Sequence, residues 1–470
     1  MSVDKTTTSP AAGKTPATGA LKHSMNTRQL VMMSLGSAIG TGLFVGTGAG
    51  VAAAGPAVLL SFLIAGTVVI IVMWALGEMA AANPNSGAFS VYAEKAMGPV
   101  AGATLGWLWW IQLVVVIAAE ATASAAIIIG LWADGPPQWL LAFVFLVIFT
   151  GINLLGVGKF GEFEFWFATL KVLAIIAFLV VGIMMLVGIL SPGHEVGFAM
   201  IEANGGFLPN GLGGVAAGLL VVIFAFGGTE IVTIAAAETE DPSRNVARAV
   251  KAVLWRILVF YIGSVTVMIL VLPWNDPNMG TSPFVSVLSA ANIPGADVIM
   301  AIIIVIALLS ALSANLYGAS RMVFSLSNRR LAPRVLSTTT KNGVPRAAVL
   351  ASVAFGFITV VLNYLYPETI LNALLNVVGA TCLMVWGFAL VSQLILRRRA
   401  EREGTALPLT MPGFPFVTGF GLVLLLGIFV LGFLNEATRS QLLQVFALVA
   451  GIAIVFAIVF AVRKNASSRD

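Results

Sequence analysis

Long apolar runs recur along almost the whole chain, and they limit what it can fold into more than any other feature. They fall at roughly 29–54, 57–81, 99–131, 137–156, 163–190, 212–237, 250–273, 295–326, 346–365, 369–396, 413–434 and 441–462. A helix needs about 20 such residues to cross a bilayer. In hydrocarbon, only helices or closed barrels satisfy the backbone. Twelve transmembrane helices in an all-α integral membrane protein are therefore expected. Only 10% of residues are charged, against about 25% in a soluble domain. The single cysteine, Cys382, lies in an apolar run, and His23 and His194 are the only histidines. Neither a disulfide framework nor a metal site is expected.

The net charge of +5 is distributed as a topology signal rather than as a nucleic-acid footprint. With the N-terminus placed inside, the inside loops and ends hold Lys22, Arg28, Lys95, Lys159, Arg244, Arg248, Lys251, Arg329, Arg330, Arg334, Lys341, Arg397, Arg398, Arg399 and Arg402, then Arg463, Lys464 and Arg469. The outside loops 191–211 and 274–294 carry acids but no Lys or Arg, and only Arg439 breaks the pattern. The positive-inside rule then puts both ends in the cytoplasm. Residues 1–20 are rich in Thr, Ala, Pro and Gly and read as a disordered cytoplasmic tail, not a signal peptide. A multi-pass protein of the plasma membrane is implied.

Two spans carry their own breaks. Gly36-Ser37-Ala38-Ile39-Gly40-Thr41-Gly42 interrupts the first, and Phe224-Ala225-Phe226-Gly227-Gly228-Thr229-Glu230 interrupts the sixth. Each glycine costs a helix about 1 kcal/mol against alanine. Such glycines can simply allow close helix packing. Paired breaks in corresponding halves instead point to a transporter's binding site. The five-span spacing suggests a leucine-transporter-type inverted repeat, with 21–190 as the first copy, 212–397 as the second and 413–463 as two additional helices. Residues 21–470 then form one membrane transport domain. The freed amides around Thr41 and Gly42 open a half-helix, whose partial positive charge suits a carboxylate. The carbonyls of Ser37, Ala38 and Ile39, and of Ala225, Phe226 and Gly227, suit an ammonium group. Gly40, Gly228 and Thr229 complete this candidate substrate site.

The residues Gly36 to Gly46 (GSAIGTGLFVG), Ala54-Gly55-Pro56, Leu76-Gly77-Glu78-Met79, Gly161-Glu162-Phe163-Glu164-Phe165-Trp166, Phe224 to Thr239 (FAFGGTEIVTIAAAET) and Ser320-Arg321-Met322 resemble the amino-acid transporter family of the amino acid–polyamine–organocation superfamily. The run Glu230 to Glu238 is most similar to bacterial GABA permeases and actinobacterial aromatic amino-acid permeases. The resemblance implies the same zwitterion site at the two breaks.

Lys171 lies within the fifth span, several residues beyond a loop holding Glu162 and Glu164. A charge there costs roughly 2.5–3.5 kcal/mol on insertion scales. The resemblance implies that its ammonium replaces the sodium ion of sodium-coupled cousins, and Lys171 is itself a candidate to lose and regain the coupling proton during the cycle. The alternative is a lysine whose head snorkels to the interface. Glu120 and Glu230 are acids in apolar surroundings, candidates either for the coupling proton or for substrate contact; for Glu230 the alternative is a structural cap on its own helix. Phe226 is a candidate lid. Trp109, Trp110, Gln112, Ser313 and Asn315 are candidate lining residues, although aromatics in spans usually face lipid or pack. Glu78, Glu238, Arg256 and Arg321 could form an inner gate of ion pairs or ordinary interfacial caps. Gly46 to Gly50 lacks the strand and lysine of a nucleotide loop, so ATP is not the energy source.

The expected function is proton-coupled uptake of an amino acid by alternating access, without cofactor or metal and driven by the proton gradient. The substrate is read as neutral, aromatic or GABA, with an exchanger or a permease for cationic amino acids as alternatives. No catalytic cluster argues for an enzyme, and no partner beyond substrate, proton and lipid is implied.

Overall fold

The computed structural model describes residues 39–467 except 86, 133, 156, 192, 194, 232, 234–241, 278, 280–281, 341–342 and 368. At 157–163, 242–243, 246–258, 372, 376, 437 and 466–467 it describes the backbone alone. Ser37, Ala38, His194 and Glu238 thus lie outside the described residues, and so does the Arg256 side chain.

The first described helix opens with a π-helical turn, Gly42–Gly46, and continues as α1 (Thr47–Ala54). Gly55, at φ +64°, and Pro56 turn the chain into α2 (Val58–Ala82); the turn needs a positive φ that only glycine adopts without penalty. Then come α3 (Ala88–Met97), α4 (Pro99–Leu131), α5 (Gln138–Leu154), α6 (Val157–Leu186), the short α7 (Phe198–Ala203) and α8 (Gly211–Ala225). After the second break follow α9 (Pro242–Val271), the short α10 (Pro283–Ala290), α11 (Ala296–Asn328), α12 (Arg346–Leu365), α13 (Ile370–Glu403), α14 (Phe416–Leu434) and α15 (Glu436–Ser467). Proline opens several of these helices, where its missing N–H costs nothing.

Eight apolar helical stretches among the described residues are long enough to cross a bilayer; Gln138–Leu154, Gly211–Ala225 and Val259–Val271 are apolar but shorter. One of the eight, Gly42–Ala82, is folded at Gly55. The chain is an all-helical, multi-pass membrane protein. Helix α6 starts at Val157, so Glu164 sits in a helix and not in the loop expected from the sequence.

Helices five apolar runs apart lie side by side: α1 with α8, α2 with α9, α4 with α11, and α5 with α12. Helix α13 packs on α4 and α8, and α14 and α15 pack on each other at the periphery. Ile454, Val455, Ile458 and Val462 of α15 stay exposed, the pattern of a lipid-facing helix. Buried polar pairs staple the interior: Asn153 Nδ2 donates to Ser313 Oγ at 2.9 Å, Gln138 Nε2 to Asn363 Oδ1 at 2.7 Å, and Asn363 Nδ2 to Thr122 Oγ1 at 2.9 Å. Such bonds hold helices together where lipid offers no hydrophobic drive.

Candidate functional site

The two breaks meet at the centre of the helix packing. A Cβ on Gly42 would lie 2.6 Å from Ala225 Cα, and one on Gly40 would strike the Glu120 carboxylate and Ala311 Cβ. Only glycine lets the two segments approach this closely. The packing reading and the site reading of these glycines therefore describe the same residues.

At the first break, Ile39 and Gly40 bend before Thr41, and the amides of Leu43 and Phe44 both return to Gly40 O at 3.1 Å. The Thr41 amide donates to both oxygens of Glu120 at 3.1 Å. The Thr41 hydroxyl donates to Glu120 Oε2 at 2.6 Å. A carboxylate thus sits at the half-helix end where one is expected, and it comes from α4.

At the second break, the amides of Phe226 and Gly227 return to Ile223 O and Phe224 O at 3.1 and 2.9 Å. Gly228 follows at φ +95°. The Gly228 amide donates to Glu230 Oε2 at 2.8 Å, and Trp386 Nε1 donates to Glu230 Oε1. This is the cap expected as the alternative role of Glu230. The Ala225 carbonyl accepts the Tyr261 hydroxyl at 2.7 Å, so an ammonium group would share that oxygen with Tyr261. Phe226 stacks on Tyr261 at 4.8 Å between ring centroids and touches Phe62 edge-on. Thr229 Oγ1 is buried with no hydrogen-bond partner among the described residues.

Between the breaks lies a cavity of about 10 Å³, lined by Gly40, Gly42, Val116, Glu120, Phe224, Gly227, Asn315 and Val378. That is room for about one water, against the hundreds of Å³ of a ligand pocket. The site is closed in this conformation. Phe224, not Phe226, is the aromatic on its wall. Of the other candidate lining residues, Asn315 reaches the cavity. Ser313 is tied to Asn153, Trp110 Nε1 donates to Ser352 Oγ at 3.0 Å, and Trp109 packs on Phe89. Gln112 Nε2 donates to Cys382 Sγ at 3.1 Å, on the α4 face that also carries Val116 and Glu120.

Lys171 is fully buried and interacts electrostatically with Glu120 and Glu164. Glu164 Oε2 accepts the Ser310 hydroxyl at 2.8 Å, whereas Oε1 has no hydrogen-bond partner among the described residues. Sequence reasoning missed Glu164 as a partner. The signal was present: Glu164 and Lys171 are seven residues apart, which puts them on one helix face two turns from each other.

Of the four residues proposed as an inner gate, Glu238 and the Arg256 side chain lie outside the described residues, and Glu78 and Arg321 have other partners. Glu78 is held by Gln393 Nε2 at 2.9 Å, the Met411 amide at 2.6 Å and Arg397 at 3.4 Å. Arg321 lies 4.0 Å over the Tyr317 ring. A second tie at the same end joins Arg329 to Glu94 and Ser90.

Residues 29–469 match the family model described as amino acid permease. The chain belongs to the amino acid permease family. The permease is 48% identical over 439 residues to the aromatic amino acid transport protein AroP of Corynebacterium glutamicum, covering 93% of this chain and 94% of that one. It is 44% identical to the gamma-aminobutyric acid permease of Bacillus subtilis, with 94% of both chains covered. The gamma-aminobutyric acid permease of Escherichia coli is 40% identical, over 91% of this chain and 92% of its own. Relatives named as permeases and transport proteins make this chain an amino-acid transporter, not an enzyme.

Proposed function

We propose that this permease is a proton-coupled symporter for a neutral amino acid, aromatic or GABA, in the plasma membrane. We read it as twelve helices with both ends cytoplasmic, two inverted five-helix repeats and two added helices. The side-by-side pairing of helices five runs apart supports the repeat. One observation carries the coupling proposal: Glu120 occupies the Thr41 amide, the donor that suits a substrate carboxylate.

Two carboxylates cannot share that amide. Glu120 must release Thr41 before substrate can bind there. A proton on Glu120 weakens its charge-assisted bond to the half-helix end. The substrate carboxylate then takes the amide, while its ammonium faces the Ala225 to Gly227 carbonyls. On the inner side, Glu120 returns its proton and recaptures Thr41, which expels the substrate. Lys171, set between Glu120 and Glu164, balances the charge left when Glu120 ionises. Binding of the proton and of the substrate thereby favour each other, as reciprocal coupling requires.

Phe224 and Phe226 flank the break and gate access to it, with Phe226 leaving Tyr261 when the site closes over substrate. Closing and opening follow from rocking of the paired helices about the fixed site.

The test is uptake of labelled phenylalanine, GABA, lysine and alanine into proteoliposomes with an imposed pH gradient and no sodium. Accumulation of phenylalanine or GABA driven by the gradient is expected. Accumulation only in vesicles preloaded with amino acid would make the protein an exchanger and overturn the symport reading.

A further inference from the structure

A cavity of about 470 Å³ lies where α2, α3 and α13 meet, away from the breaks. Its polar lining divides into groups already engaged and groups still available. Glu78 is engaged by Gln393, Met411 and Arg397. The Tyr92 hydroxyl donates to Asn83 O at 3.1 Å. The available groups are donors: Asn83 Nδ2, buried with no partner among the described residues, the ammonium of Lys95, and the guanidinium of Arg399, which gives one N–H to Lys95 O at 3.0 Å. Glu403 is exposed at the rim. Met79, Leu396 and Leu407 supply an apolar wall. A second cavity of about 360 Å³ shares Arg399 and Glu403 and adds Arg398 and Arg402.

We propose that this two-lobed chamber binds the phosphate of an acidic phospholipid headgroup. Spare donors and a lining with five basic side chains against Glu78 and Glu403 select an anion. The apolar wall selects one that carries a hydrocarbon part. Its level in the membrane fits. Helix α13 has 34 residues and is about 51 Å long at 1.5 Å per residue, against about 30 Å of hydrocarbon. Its arginines fall in the last two turns, at headgroup depth. The phosphate lies among Asn83, Lys95 and Arg399, and its charge competes with Glu78 for Arg397, whose 3.4 Å ion pair is the longest of the ties on Glu78. Lipid occupancy thus loosens α2 from α13. The inference does not depend on which amino acid is carried.

The test is thermal unfolding of the purified full-length protein in detergent with added phosphatidylglycerol, phosphatidylcholine or inorganic phosphate. Phosphatidylglycerol is expected to raise the midpoint by about 2–4 °C over phosphatidylcholine, and inorganic phosphate by much less. Asn83→Asp, which sets an acid among the donors, should abolish the difference. So should Lys95→Gln with Arg399→Gln, two exposed side chains whose loss leaves the interior intact. Arg334→Gln with Arg346→Gln removes the same charge from exposed positions outside the chamber and should keep the full shift. An equal loss in that control, or an undiminished shift in both chamber variants, overturns the proposal. A full shift with inorganic phosphate alone overturns the lipid assignment.

Discussion

Both interrupted helices end on a carboxylate, but the two carboxylates come from different places. Glu230 caps an amide two residues away on its own segment, and Trp386 holds its other oxygen. Glu120 caps Thr41 from a helix 79 residues further along the chain. A cap from its own segment moves with its helix and is always at hand. A cap from another helix persists only while the two helices keep their spacing, and a carboxylate arriving from solution competes with it on equal chemical terms. Under the proposed mechanism, the second break is a permanent hinge and the first an exchangeable contact, so the same chemistry would serve structure at one break and transport at the other.

The most severe test removes the charge behind the exchangeable cap. Lys171→Ala leaves Glu120 and Glu164 without their cation, and removing one partner of a buried ionic group costs about 3–5 kcal/mol. We expect loss of gradient-driven uptake and a lower unfolding midpoint. Adding Glu164→Gln should restore part of the stability, a coupling read by a double-mutant cycle. Intact accumulation in Lys171→Ala would remove that residue from the coupling scheme.

Glu120→Gln comes next. The accumulation ratio should fall about 5- to 150-fold, the usual span of a coupling free energy. Equilibrium substrate binding should survive and become insensitive to pH, because the wild-type dependence, stronger binding in acid, passes through this carboxyl. A wild-type pH profile in the variant would break the comparison.

Glu230→Gln should behave in the opposite way. It should lose about 1–3 kcal/mol of stability through an imperfect cap while keeping the pH dependence of binding. If the two variants prove indistinguishable in denaturation and in pH profile, the division between hinge and exchangeable contact fails.

The smallest effect belongs to Tyr261→Phe, which frees the Ala225 carbonyl of one neutral hydrogen bond worth about 1 kcal/mol. A change of about fivefold in apparent substrate affinity, beside a stability loss of no more than about 1 kcal/mol, would place the ammonium group at that oxygen, and no change in affinity would move it elsewhere.

The breaks, the acids and the buried lysine were legible because each violates a rule that apolar helices otherwise keep. Glycine runs interrupt Gly36 to Gly42 and Gly227 to Gly228, and Glu120, Lys171 and Glu230 are charges among aliphatics. What could not be read was which atom meets which. Trp386 reaches Glu230 across 156 residues, and Tyr261 reaches Ala225 across 36; packing chooses such pairs, not local pattern. Phe226 adjoins the glycines and is the expected lid; that Phe224, half a turn before it, lines the cavity was not legible. Glu164 was hidden because it was read with Glu162 as a loop residue, whereas the helix runs from Val157.

Cys382 is the chain's single cysteine. It is buried on α13 one turn beyond Val378 of the cavity wall, and a Cβ on Gly227 would stand 3.2 Å from its sulfur. A thiol this enclosed is inert until its neighbours part. The protein therefore carries a native clock for its own gating: the pace of alkylation counts how often the central packing separates, and a bound ligand that keeps it shut would slow the count.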